Sequence, residues 1–180
     1  MGHKNSIRHR VPQPIRGTAP KISDPYLPRE GMPEPAKCKI CQSVYHHKRW
    51  YAKDDPFALQ AQNEPMELTV CPACRKAKDH FPGGVVTLRG GYLVAHKDQI
   101  LHLIRNEETR AKKDNPLEVI FSVKDMGNRI EIHTTNEKLA QRIGKEIHRA
   151  FKGEVSYHWT HDLPHDKFVR VEWHREAEKE

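Results

Sequence analysis

The chain is predicted to be α+β: a four-cysteine domain with a β-hairpin and a helix, then a ββαββ domain, behind a disordered basic N-terminal arm. Three features predict this. All four cysteines fall in two Cys-x-x-Cys turns, Cys38-Lys39-Ile40-Cys41 and Cys71-Pro72-Ala73-Cys74. From Leu117 onward, four runs with strand-like alternation surround one amphipathic helical stretch. Ahead of the cysteines lies a proline-rich segment with no apolar periodicity.

Paired Cys-x-x-Cys turns let four thiolates converge on one tetrahedral ion, and four sulfurs predict Zn²⁺ bound by Cys38, Cys41, Cys71 and Cys74. Such a set leaves no open coordination position, so it reads as structural rather than catalytic. Free thiols or a redox pair would suit a single Cys-x-x-Cys, and the duplication argues against both. The expected unit is zinc-ribbon-like and spans 36–115. With every cysteine given to metal, a reducing cytoplasm is the expected location.

Composition narrows the partners. Of 180 residues only 36% are hydrophobic and 31% are charged, and the mean hydropathy is -0.85. That is too polar for one core spanning the whole chain. No apolar run approaches the ~20 residues of a membrane span, so no membrane partner is expected. A formal charge of +7 and a pI of about 9.3 point instead to a polyanion.

Much of that excess lies in residues 1–35. Lys4, Arg8, Arg10, Arg16, Lys21 and Arg29 face only Asp24 and Glu30 through residue 30, among Pro12, Pro14, Pro20, Pro25, Pro28, Pro33 and Pro35. Proline removes backbone donors and favours extended geometry, so this arm is expected to order only where Arg8, Arg10 and Arg16 meet phosphates.

After the first cysteine turn, Tyr45, Lys48, Arg49, Trp50 and Tyr51 interleave aromatic faces with cations. That mixture suits stacking on unpaired bases and contact with phosphates, with Tyr45 expected to pack over the cysteines instead. His46, His47 and His80 are spare ligand candidates expected at the surface. Residues 53–67 read as a short helical or loop insert, and Arg75, Lys76 and Lys78 as a second basic cluster. Val85–Leu88 and Tyr92–Ala95 are expected to pair as a hairpin about Arg89-Gly90-Gly91. The glycines belong to no phosphate-loop pattern. A helix from Lys97 to about Lys112 follows, and the domain boundary is placed before Pro116.

The ββαββ domain is expected over 116–175, with a charged tail at 176–180. Leu117–Val123 and Arg129–His133 are its first two strands, joined by Asp125-Met126-Gly127-Asn128. Thr134 and Glu137 match a capping box that opens a helix ended by Gly153. Val155, Tyr157 and Trp159, then Val169, Val171 and Trp173, mark inward positions of the last two strands. On the helix, Leu139, Ile143, Ile147, Ala150 and Phe151 form the sheet-facing side. Lys138, Arg142, Lys145, Arg149 and Lys152 form an opposite stripe of one sign, predicted to contact a polyanion. Reversing Arg142 and Arg149 is expected to weaken that contact and leave the fold intact. His158, His161, Asp162, His165 and Asp166 could hold a second metal, but a polar turn around Pro164 explains them as well.

Three sets of residues resemble a known family. They are Cys-x-x-Cys with Tyr45 and Arg49-Trp50 followed by Cys-Pro-Ala-Cys and Pro82-Gly83-Gly84; the run Ile132-His133-Thr134-Thr135-Asn136-Glu137-Lys138-Leu139-Ala140-Gln141-Arg142-Ile143-Gly144; and Phe151-Lys152-Gly153 with Val169-Arg170-Val171-Glu172-Trp173. Together, over about 35–175, they resemble a family of small bacterial zinc-binding proteins. That family is similar to the N-terminal part of the archaeal and eukaryotic Nmd-type adaptor of the large ribosomal subunit. The resemblance implies a non-enzymatic, ribosome-associated protein that binds large-subunit rRNA; the chain is separately expected to be a monomer with no small-molecule substrate. The adaptor carries more cysteine pairs and further domains, so its export signalling does not transfer. The alternative function is a zinc-ribbon DNA-binding or transcription-associated module, since phosphates look alike to a lysine.

Overall fold

A computed structural model describes residues 24–26, 31–160 and 168–177. In chain order these form β1 (Ala36–Cys38), β2 (Val44–His46), β3 (Arg49–Tyr51), α1 (Pro56–Ala61), β4 (Glu67–Thr69), α2 (Pro72–Lys78), β5 (Gly84–Arg89) and α3 (Gly91–Asp114). Then come β6 (Ile120–Asp125), β7 (Arg129–Thr134), α4 (Glu137–Phe151), β8 (Glu154–Thr160) and β9 (Phe168–His174).

The first strands build a small sheet in the order β3-β2-β1-β4. Between β2 and β3, His47 and Lys48 both take left-handed backbone conformations, with φ of 48° and 59°, the geometry of a two-residue hairpin turn. The insert after β3 becomes α1 because Asp55 accepts from the Phe57 N–H and Pro56 starts the helix. Ala58 and Ala61 of α1 close over Val44, with Tyr51 and Met66 at the margin.

The second sheet has five strands in the order β6-β7-β5-β9-β8. Its centre is β5, antiparallel to β7 and parallel to β9. Alternation puts Val86 and Leu88, Ile130 and Ile132, and Val169, Val171 and Trp173 on one buried face. Leu139, Ala140, Ile143 and Ile147 of α4 cover that face, joined by Leu93, Ile100 and Ile104 of α3. At about 1.5–3 kcal/mol for each large side chain withdrawn from water, this cluster is the main apolar store of the molecule. Close approach of α4 needs two glycines. A Cβ on Gly84 would lie 2.5 Å from the Ala140 Cβ, and one on Gly144 2.5 Å from Val171 Cγ1.

The α+β class stands, with two sheets and four helices among the described residues, and the details differ from expectation in four places. Tyr92–Ala95 is not the partner of Val85–Leu88 but the start of α3. The strand already has β7 and β9 on its two edges, which leaves Tyr92 no edge to pair. For the same reason the last four strands are not a closed ββαββ unit, since β5 is threaded between the two hairpins. β5 and α3, assigned to the cysteine domain by a boundary before Pro116, are built into the large sheet and its core. Finally, α4 is capped by Asn136, whose Oδ1 accepts from the Leu139 N–H, rather than by Thr134. Thr134 instead turns its hydroxyl to the carbonyls of Gly84 and Asn136.

Candidate functional site: the four-cysteine centre and the cations around it

Parallel pairing of β1 with β4 carries both cysteine turns to the same end of the small sheet. Lys37 lies opposite Leu68 and Cys38 opposite Thr69, and the Lys39 N–H donates to the Thr69 carbonyl at 2.9 Å. Cys38 closes β1. The chain then turns through Gln42, whose φ of 66° is left-handed, and the Gln42 N–H donates back to the Cys38 carbonyl. Cys71 is the N-cap of α2, followed by Pro72 in the first turn. The two outer positions of the pattern thus sit on regular elements and the two inner ones on the turns beside them.

All four sulfurs lie within 4.8 Å of one another, and Cys41 Sγ is 3.6 Å from Cys71 Sγ. A tetrahedron of sulfurs about 2.3 Å from a central ion has edges of about 3.8 Å, so this cluster can hold a metal ion. Backbone N–H groups already point at the sulfurs: that of Cys71 at Cys38 Sγ and that of Cys74 at Cys71 Sγ, each at 3.4 Å. Donors of this kind spread the charge of bound thiolates. Cys38 and Cys71 are buried, Cys74 is half-buried and Cys41 is exposed.

Left to themselves three of the thiols diverge, Cys41 toward the thiolate and Cys71 and Cys74 toward the protonated thiol. A hydrogen bond with Cys71 draws the Cys41 pKa down to about 4. The same bond, with burial second, pushes Cys71 upward, and burial pushes Cys74 to about 12. A divalent cation supplies the charge that lets all four ionise, so binding releases protons.

Around the cluster, Trp50 packs against Cys38, Cys71 and Ala73, with Tyr45, Leu117 and Val119 at the edge. Tyr45 therefore lies where expected, 5.4 Å from the Trp50 ring. Trp50 does not lie where expected: at 6% exposure it has no face left for an unpaired base. Lys48 is exposed. Arg49 is exposed as well but donates to the Asp114 carbonyl at 2.8 Å, bracing the knuckle against the end of α3. Both line a cavity of about 510 Å³ with Met32 and Asn115.

The second basic cluster comes apart. Lys76 is 7% exposed. Its Nζ donates to Asp24 Oδ2 at 2.6 Å and to the Thr135 carbonyl at 3.3 Å, so it is a structural cation unavailable to phosphate. Arg75 is half-buried and Lys78 exposed.

The stripe on α4 is also divided. Lys138, Lys145, Arg149 and Lys152 are exposed, Arg149 with Glu146 at 2.5 Å. Lys138 and Lys145 form no ion pair among the described residues. Arg142 turns toward α3, 4.0 Å from Glu107 and 3.8 Å from Glu118, both of which are buried. Its reversal would set a third carboxylate beside two buried ones, so a cost in stability is expected where the sequence alone suggested none. The signal was present in α3, where Glu107 falls on the same face as Ile100, Ile104 and Ala111. Nothing comparable marked Asp24 as the partner of Lys76, because only folding brings them together.

Several residues of the resemblance motif carry structural work. Thr135 Oγ1 donates to the Leu117 carbonyl at 2.5 Å and accepts from the Val119 N–H at 2.9 Å, while Asn136 caps α4. Arg8, Arg10 and Arg16 of the arm lie outside the described residues, as do His161, Asp162, His165 and Asp166 of the second metal candidate. Among the described residues the only cysteine, histidine and carboxylate group placed to hold a metal is the four-cysteine one, and no helix is long and apolar enough to cross a membrane. Compared with family models, with curated proteins and with solved structures, the chain has no match.

Proposed function

We propose that the chain is a non-enzymatic zinc protein, acting as a monomer in the cytoplasm, that docks on large-subunit ribosomal RNA in assembly, dormancy or quality control. Zn²⁺ is the ion that suits four soft thiolates at tetrahedral spacing. The non-enzymatic reading rests on that ligand set, which leaves no position for a substrate or an activated water. Its role is to hold the small sheet and α2 together.

The observation that carries the RNA reading is the outer surface of α4, where Lys138 and Lys145 face solvent with no ion-pair partner among the described residues. Arg149 and Lys152 lie beside them, and Lys48 is exposed on the knuckle. The net charge of +7 favours a polyanion. The resemblance to the zinc-binding family related to the large-subunit adaptor selects ribosomal RNA among polyanions.

The test is sedimentation of the zinc-loaded protein with separated ribosomal subunits at rising salt. Co-migration with the large subunit is expected. For about six phosphates neutralised, log K should fall against log salt with a slope near −4 to −5. Absence of co-migration at low salt, or a slope near zero, refutes the reading. Preferential binding to duplex DNA would replace it with the DNA-binding alternative.

A further inference from the structure

Resting on that RNA reading, we infer that the flank of α4 above strand β8 is a stacking platform for unpaired bases, with Tyr157 and Trp159 as its rings. Both rings follow the alternation that faces the core. Tyr157 pairs with Val171 and Trp159 with Val169, and those two valines are fully buried. Yet Tyr157 remains 37% exposed and Trp159 42% exposed. The cause is position: β8 is an edge strand with β9 on one side only, so its inward side chains overhang the limit of α4. Large aromatic surface left in water at two successive same-face positions, about 7 Å apart, needs a partner to cover it.

The geometry of α4 shows what surrounds these rings. A Cβ on Gly144 would lie 3.2 Å from Tyr157 Oη, so the Tyr157 ring abuts the middle of the helix. Arg142 reaches Glu107 of α3. At about 100° per residue, positions 142 and 144 are far apart around the axis, so α3 and β8 lie on opposite flanks. Measured from Gly144, Glu137, His148 and Gln141 fall within about 60° on the β8 side, with Lys152 at about 80° and Lys145 at about 100°. Lys138 stands at the crest of the helix, and Glu137 is the one acidic residue of α4 on this flank.

Exposed rings beside a helix whose crest carries the exposed Lys138 and Lys145 match a strand of RNA whose bases are unstacked and whose phosphates are accessible. A regular RNA duplex hides its base faces and could use the lysines alone. A protein partner would need to be acidic as well as apolar, and nothing else on this flank calls for one. The platform also supplies the base contacts that buried Trp50 cannot.

The experiment titrates the full zinc-loaded chain with a single-stranded uridine decanucleotide and with a blunt, loop-free RNA duplex, reading anisotropy. Trp159→Ala should weaken decanucleotide binding about tenfold, within the range of one lost base stack. Duplex binding should change less than twofold, and Trp159→Phe should restore most of the loss. Lys145→Gln should weaken both ligands and reduce the salt slope by about 0.7. Near-identical circular dichroism and melting of the variants guards against loss of fold. Unchanged decanucleotide binding by Trp159→Ala overturns the platform. If the wild type still sediments with large subunits, the ribosomal reading survives that failure. If Trp159→Ala loses ribosome binding but keeps decanucleotide binding, the surface contacts protein and the proposal fails.

Discussion

Arg142 and Lys145 are three residues apart on one helix and carry the same charge, yet the fold gives them different work. The guanidinium of Arg142 lies between Glu107 and Glu118, and Glu107 also holds Arg110 at 2.6 Å. Removing one partner of a buried ionic group leaves the others without compensation. Arg142→Glu is expected to cost about 2–4 kcal/mol, less than a fully buried pair would suggest because Arg142 is itself half-exposed. Lys145→Glu should stay within about 0.5 kcal/mol of wild type while weakening RNA binding. Urea unfolding of the two variants checks the contrast, and equal stabilities would show that Arg142 is only a surface cation. This difference was partly legible in the sequence. The cysteines announce themselves through spacing, and the apolar face of α4 through period. Whether a cation on the polar side meets solvent or a neighbouring helix depends on where that neighbour lies, and no local pattern encodes that.

The β6–β7 hairpin shows what an element adds. Its turn at Asp125–Asn128 was readable from Gly127, but the ties that hold it to the rest of the molecule were not. Lys97 of α3 donates to Asp125 at 2.9 and 3.0 Å and holds its carboxyl below the usual range. Within β7 itself, His133 lies 2.7 Å from Glu131 and, outweighing burial, does the same there. Lowered folded-state pKa values mean that the folded protein binds fewer protons than the unfolded chain. The stabilisation is therefore complete above the unfolded carboxylate values near 4, and is lost as pH falls through the lower folded values. Melting temperature is expected to drop between about pH 4.5 and 3, with a shallower drop in Glu131→Gln. A parallel decline in that variant would assign the acid sensitivity to other groups. The strand assignment failed at Tyr92 for a related reason. A glycine turn after a strand signals reversal, but not whether the next residues find a strand edge or a helix, and here β7 and β9 had taken both edges.

At the scale of the molecule the cysteine knuckle and the large sheet share contacts. Leu117 and Val119, next to β6, pack against the Trp50 cluster, and Lys76 of α2 reaches the Thr135 carbonyl just before α4. Structural zinc in finger peptides supplies about 10–16 kcal/mol of apparent binding free energy, so removal of the proposed zinc should dominate the stability of the small sheet. Chelation is expected to collapse the near-ultraviolet signal of Trp50 and lower the melting temperature of the whole, with Cys71→Ser doing the same without chelator. Because bound thiolates must first give up protons that Cys71 and Cys74 hold tightly, zinc affinity should fall as pH is lowered from 8 to 6. Indifference of both spectrum and melting to a strong chelator would remove the metal from the account.

The strand at the middle of the larger sheet has a further consequence, one of timing. β5 is made before both of its sheet neighbours, and its parallel neighbour β9 comes last of the described strands, with Gly84 set against Val169. Until that late strand arrives, one row of amide and carbonyl groups on β5 stays open, the kind of edge that recruits foreign strands. Closing it means joining distant parts of the polypeptide, which is slow compared with making a local hairpin. A nascent chain of this protein must therefore wait with its most apolar strand half-paired, and it is most vulnerable to misassociation in that interval.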